Sequence, residues 1–231
     1  MMDSDQTEIG LYGKVFNNRD LLSEILSYLD VVALVEKKAV KSLWKDCCEV
    51  AIDAKGGPNR KAFRSSRELY DAVDMLYRKG DRDDIEGIAQ EFGYPIGKWN
   101  VSQVSNFSFI FKDLETFNDD ISSWDVSSAT KMNVMFHGAT SFNQNISGWD
   151  VSNVINMGYM FAGASSFNCD ISNWNVSRVR KMYWMFYRAS SFNANLSDWN
   201  ISSNCNLYEM FNDAPNIDQE ALEWENLELR L

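Results

Sequence analysis

Tryptophan stands at positions 99, 124, 149, 174, 199 and 224, so six of the chain's eight tryptophans recur at intervals of 25 residues. A fixed period between about 20 and 50 residues restricts a chain to stacked units, each touching only its neighbours. With each Trp counted as slot 0, the other slots repeat as well. Slot 12 is always Phe (Phe111, Phe136, Phe161, Phe186, Phe211), and slot 11 is Ile110, Met135, Met160, Met185 and Met210. Slot 8 is Phe107 and then Met132, Met157, Met182 and Leu207. Slot 18 is Phe117, Phe142, Phe167, Phe192 and Ile217, and slot 3 is Ser in all five coils.

Two local patterns lie within one period. The aliphatic residue three before Trp (Ile96, Ile121, Ile146, Ile171, Leu196) and the one two after it (Val101, Val126, Val151, Val176, Ile201) bracket a segment read as extended. Apolar slots 5, 8, 11, 12 and 15 have the spacing of one helical face, with Ser102 and its equivalents placed as N-caps. The expected unit is therefore a strand, a turn carrying the Trp, and a short helix. Strands of successive coils would pair in parallel about 4.8 Å apart. One such coil cannot bury its own Trp, Met and Phe, whereas five or six stacked coils can.

The strings WDVSSATKMNVMFHGATSFNQNISGW (124–149) and WDVSNVINMGYMFAGASSFNCDISNW (149–174) resemble the BspA-like leucine-rich-repeat family. The resemblance spans residues 94–231. It implies an α/β fold, a right-handed leucine-rich-repeat-like solenoid that works by binding. In bacterial members it implies cell-surface exposure and adhesion.

The chain's 231 residues suit a repeat array with an appendage. A net charge of −11 argues against nucleic acid or an anionic membrane as the main partner, and fits a self-repelling scaffold or a basic partner. The opening MMDSDQTEIGLYGKVFNNRD has no basic region followed by an apolar run, so no signal peptide is expected, and no stretch is apolar for long enough to span a bilayer. Cys47, Cys48, Cys169 and Cys205 have neither metal-ligand spacing nor a disulfide framework, which favours a reducing compartment. The expected location is the cytoplasm or nucleus, or the cell surface if another export route serves.

Residues 1–17 are polar and acidic. In 18–53, Leu22, Ile25, Leu26 and Leu29 have helical spacing, and Trp44 closes a V-x-x-x-W pattern begun at Val40. This L-x-x-E-I-L-x-Y-L-D segment resembles an F-box. The resemblance implies an adaptor-binding end that uses Leu22, Ile25, Leu26, Leu29 and Trp44, and a solenoid that selects a client for a cullin-type ubiquitin ligase. Residues 54–66, with Gly56, Gly57 and Pro58, read as a linker. Residues 67–93 read as two amphipathic helices capping the first coil, and 215–231 as the C-terminal cap of a solenoid over 94–231.

No nucleophile elbow, phosphate loop or zinc spacing is present, so no cofactor, metal or catalytic residue is expected and the chain reads as a non-enzyme. His137, the single histidine, occupies an unselective slot that Lys112, Ala162, Tyr187 and Asn212 fill elsewhere. Asp120, Asn145, Asp170 and Asn195 recur before the aliphatic slot. The favoured reading has them hydrogen-bonding turn backbone between coils, with calcium as the alternative. Binding is expected at the slots that vary while the core slots stay fixed. Slots 9, 10, 13 and 14 collect Tyr159, Tyr183, Trp184, Tyr187, Arg188 and Tyr208, residue types of interface hot spots.

Overall fold

The computed structural model describes residues 60–79 and 82–217. Helix α1 (Ser66–Asp74) starts at Ser65, whose hydroxyl accepts the Glu68 N–H at 3.1 Å, while the Glu68 carboxylate accepts the Arg64 N–H at 2.7 Å. The Ser65 hydroxyl thus satisfies a donor that the first helical turn leaves without a partner, and the Glu68 carboxylate ties down the residue before the cap. Leu69, Ala72 and Val73 form the buried face, and the chain runs on through a widened turn, Met75–Lys79. Helix α2 (Arg82–Phe92) buries Ile88, Ala89 and Phe92, and a short 3-10 turn, Ile96–Lys98, leads into Trp99.

The described part of the expected linker, 60–66, belongs to this packed cap. Phe63 is fully buried, stacked on Phe92 at 4.0 Å and 5.0 Å from Trp99. Its N–H donates to the Asn100 carbonyl, and Lys61 bridges Glu68 and Glu91. An aromatic residue held between a helix and the first Trp cannot act as a tether, so the ordered unit begins by Arg60.

From Trp99 to Ile217 the chain is a stack of 25-residue coils, but the expected helix within each coil is absent. The helices of the described residues all precede Trp99. Slots 8, 10, 12 and 14 instead donate their N–H groups to the slot 7, 9, 11 and 13 carbonyls of the next coil. Met132 donates to Asn156, Val134 to Gly158, Phe136 to Met160 and Gly138 to Ala162, at 2.8 to 3.0 Å. Parallel bridges join slot 7 through the stack: Asn106 to Lys131, Asn156, Lys181 and Asn206. The parallel pairing thus lies on the segment expected to be helical, and not on the aliphatic segment before Trp.

The helical spacing has another cause. Within a coil, slots 5, 15 and 18 donate N–H to slots 2, 12 and 15, as in Val154 to Val151, Ala164 to Phe161 and Phe167 to Ala164. Each three-residue step is a turn whose ends point inward. A run of such turns spaces apolar side chains by three, which a helical reading also accepts. The proposed N-cap serine closes a turn too: in coils one to four the Asn or Asp at slot 1 accepts the N–H of slot 3, as Asp150 does from Ser152.

The core is a set of side-chain columns. Phe111, Phe136, Phe161, Phe186 and Phe211 stack at 5.3 to 5.7 Å, and Phe117, Phe142, Phe167 and Phe192 at 5.7 to 6.0 Å. Each fully buried ring contributes roughly 1.5–3 kcal/mol by leaving water. Every repeat Trp from 99 to 199 is buried, and those from 124 donate the indole N–H to the aliphatic residue of the preceding coil. Trp124 bonds the Ile96 carbonyl at 2.9 Å and Trp149 that of Ile121 at 3.2 Å. A buried indole finds an acceptor in this way, so the slot demands both size and a donor.

Coil one has no preceding coil to donate to its carbonyls, and the cap supplies a substitute. Arg78 Nη2 donates to the Lys112 carbonyl at 2.7 Å, and the Tyr77 hydroxyl donates to the Asp119 carboxylate at 2.7 Å. The Tyr77 ring meets Phe117 edge-on at 5.3 Å. Burial first, and the neighbouring Asp119 charge second, push the Tyr77 phenol well above its usual value, so it stays protonated and donating.

Candidate functional site

The outward slots owe their arrangement to two left-handed residues per coil. Slot 10 has positive φ in all five coils: Phe109 (67°), Val134 (63°), Tyr159 (58°), Trp184 (58°) and Glu209 (47°). Slot 14 matches it with Asp113, Gly138, Gly163, Arg188 and Asp213. A left-handed residue with a side chain costs about 1–2 kcal/mol, and a β-branched one such as Val134 is an outlier. The surrounding bonds hold the conformation: the Tyr159 N–H donates to the Tyr183 carbonyl at 3.0 Å, and the Tyr159 carbonyl accepts the Ala162 N–H at 3.2 Å. The kink interrupts strict in-and-out alternation. Slots 9 and 10 both face out, with Gly158 covered by the Tyr183 ring, and slots 11 and 12 both face in, so adjacent residues form a broad outer ridge over the double Met-Phe core.

The six residues expected to bind on this face form one cluster. The Tyr159 and Trp184 rings stack at 5.8 Å, and Tyr183 meets Tyr159 edge-on at 5.5 Å. Tyr187 lies edge-on to Trp184 at 4.7 Å, and Tyr208 lies 6.1 Å from Trp184. The Arg188 guanidinium sits 4.8 Å over the Tyr187 ring and bonds Asp213 at 3.2 Å. Tyr208 is 51% exposed and Arg188 is exposed, while the other four are partly so. The hydrogen bond from Tyr208 to Glu209 raises its phenol above the ordinary value. His137 extends the cluster edge-on to Tyr159 at 6.4 Å and pairs with Asp113 at 3.2 Å. The cluster is a preordered aromatic ridge with hydroxyl, indole and guanidinium donors, and it offers no nucleophile with a base beside it.

The turn backbone bonded by the recurring acid or amide at slot 21 lies in its own turn, and not in a neighbouring coil as expected. Asp120, Asn145, Asp170 and Asn195 each accept the N–H of the Ser two residues on, at 2.9 to 3.1 Å. Among the described residues, no group of three or more His, Cys, Asp or Glu side chains could hold a metal. A cleft of about 590 Å³ lies between α1 and coil one, but its cations are already engaged: Arg67 by Asp71, Lys112 by Asp113, and Arg78 by Asp74 and the Lys112 carbonyl. The F-box-like residues Leu22, Ile25, Leu26, Leu29 and Trp44 lie outside the described residues, as does the expected C-terminal cap beyond Ile217.

Sequence reasoning missed two features. Slot 19 is Asn in four coils, and the side chains form a ladder: Asn118 accepts the Asn143 N–H, Asn143 that of Asn168, and Asn168 that of Asn193, at 2.8 to 3.0 Å. The strict recurrence of Asn after the slot 18 Phe was its signal. The other is a set of cations beside the aromatic ridge: Arg178, Arg180 and Lys181, all exposed.

Among the described residues no helix is long and apolar enough to cross a membrane. No curated protein and no solved structure matches the chain. The family model described as "Mycoplasma protein of unknown function, DUF285" matches residues 85–161 and 127–224, which together take in most of α2 and the stack. BspA-like repeat proteins are associated with that family. With more than half of its residues matched over the coils whose Trp, Met and Phe columns build the core, this chain belongs to the DUF285 family.

Proposed function

We propose that the protein is a non-catalytic recognition module, a right-handed solenoid of leucine-rich-repeat type whose outer aromatic ridge captures a protein partner. The observation that carries this reading is the contact between Tyr159 and Trp184, two left-handed residues held side by side on the surface. Such backbone strain is worth its cost where it fixes a surface in advance, because a preordered aromatic loses little freedom on binding. The test is affinity capture with the wild-type chain and with a variant carrying Ser at Tyr183, Trp184, Tyr187 and Arg188. The variant releases the wild type's partner and unfolds at nearly the same temperature. Capture of the same partner by both removes the ridge from consideration.

The F-box resemblance makes residues 18–53 the recruiting end, which joins the captured client to a cullin-type ligase in the cytoplasm or nucleus. In support, the segment 60–98 already covers coil one through Phe63, Tyr77 and Arg78, so the solenoid needs no second cap. Co-precipitation with the ligase adaptor, lost on Leu26→Asp with Leu29→Asp, is the expected result. No adaptor binding by the wild type returns the reading to an adhesion or scaffold protein.

A further inference from the structure

We infer that the partner of this face is an acidic segment of another protein, although the chain itself carries a net charge of −11. The inference rests on the recognition role proposed for the ridge and adds the chemistry of what it takes. Coils two to four, residues 124–198, hold five cations and four carboxylates, and the two sets occupy different parts of the coil. The carboxylates Asp125, Asp150, Asp170 and Asp198 fall at slots 1, 1, 21 and 24. The cations Lys131, Arg178, Arg180, Lys181 and Arg188 all fall between slots 4 and 14, the arc that contains the ridge. In these three coils that arc carries no carboxylate. The acids Asp113, Glu209 and Asp213 bound it in coils one and five.

Several of these charges are available. All five cations are exposed, and among the described residues Lys131, Arg178, Arg180 and Lys181 make no ion pair. The Arg178 guanidinium is steadied by the Asn153 side chain at 2.8 Å, which leaves its other donors for a ligand. Apolar surface continues beside the charge: Ile155, one coil before Arg180 at the same slot, is 43% exposed. Lys131 and Lys181 are linked through Asn156 by two parallel bridges, so they stand about 10 Å apart at the usual ladder spacing. Three residues of a polyproline II segment span about the same length, roughly 9 Å, and return to the same face. A peptide in that conformation lying along the stack would therefore set carboxylates three residues apart over the two lysines and lay an intervening ring against Tyr183 and Trp184. Opposite charge also steers such a segment toward this arc and away from the acidic remainder of the coil.

The test uses the full chain and fluorescence anisotropy with three labelled probes of equal length: a Glu-Tyr peptide repeating Glu-Tyr-Ser, a Lys-Tyr peptide repeating Lys-Tyr-Ser, and oligothymidylate. The Glu-Tyr peptide binds best and weakens as salt rises. Arg178→Glu, Arg180→Glu and Lys181→Glu together weaken it about tenfold or more. The neutral triple with Gln at the same positions gives a smaller loss in the same direction, and it serves if charge reversal impairs folding. Equal or tighter binding of the Lys-Tyr peptide overturns the inference, and tighter binding of oligothymidylate overturns it in favour of nucleic acid. Failure of the Glu-Tyr peptide, with ridge-dependent capture of a protein intact, overturns the acidic partner alone and leaves the recognition role standing.

Discussion

The ring of Tyr183 occupies the place where a side chain on Gly158 would stand. A Cβ at Gly158 would come within 2.7 Å of the Tyr183 Cζ, closer than real carbon contacts allow. Gly158 has no left-handed backbone that would explain it. It is there to seat the neighbouring ring, which from that position meets Tyr159 edge-on. Gly158→Ala displaces a ring at its free end, so it costs under about 1 kcal/mol in unfolding free energy while lowering partner affinity. Matched denaturation and binding curves check this, and unchanged binding would separate Tyr183 from the site.

Trp149 combines bulk with an indole donor to the Ile121 carbonyl. Trp149→Ala is expected to destabilise the stack by about 3–5 kcal/mol, as a large buried ring is lost. Trp149→Phe keeps most of the bulk and loses the donor, leaving the Ile121 carbonyl unpaired at a cost of about 1–3 kcal/mol. Urea unfolding of the two variants separates the terms.

Arg78 closes the exposed end of the ladder through the Lys112 carbonyl. Arg78→Met keeps the aliphatic stem and removes the donors, and should cost about 1–3 kcal/mol for the acceptor left unbonded. Hydrogen exchange should rise first in coil one. Uniform loss of protection across all coils would show instead that the stack opens as one unit.

Acid should loosen the turns that aspartate closes. The Ser127 hydroxyl and N–H hold Asp125 below the ordinary value of 3.8, the Ser152 hydroxyl and N–H do the same for Asp150, and the Ser172 N–H and hydroxyl for Asp170. A carboxyl depressed in the folded state contributes fully above its unfolded value, and the contribution disappears as pH falls through the folded value. The loss is thus confined to pH below about 4. Asn100 and Asn175 make the same slot 1 bonds without titrating. A variant with Asn at Asp125, Asp150 and Asp170 should therefore show a shallower fall in thermal stability below that pH, checked by melting from pH 7 to 2.

The core was legible because each column repeats one side chain: Phe136 and Phe161 need no further signal to be placed in contact. The backbone route was not. The Phe136 N–H has its partner on Met160, in the next coil, and no local pattern reports a bond made that far along the chain. The ridge was found through variability at its slots, yet the kink that presents it falls on Val134 and Trp184, residue types that give no hint of left-handed backbone. The acceptor at Asn143 and the cations at Arg178 and Arg180 sat in plain view but were assigned no role.

The pairing of slots 9 and 10 outside with slots 11 and 12 inside has a bearing on how such a surface can change through time. Ser108, Asn133, Gly158, Tyr183 and Tyr208 share one slot above an almost unvaried interior. Nearest-neighbour stability means that a substitution in the outer pair perturbs two junctions at most, leaving the columns beneath intact. Duplication of a coil supplies a fresh pair in register with the old ones. Such a chain can acquire a new ligand by small independent steps, each tolerable on its own, without passing through an unfolded ancestor.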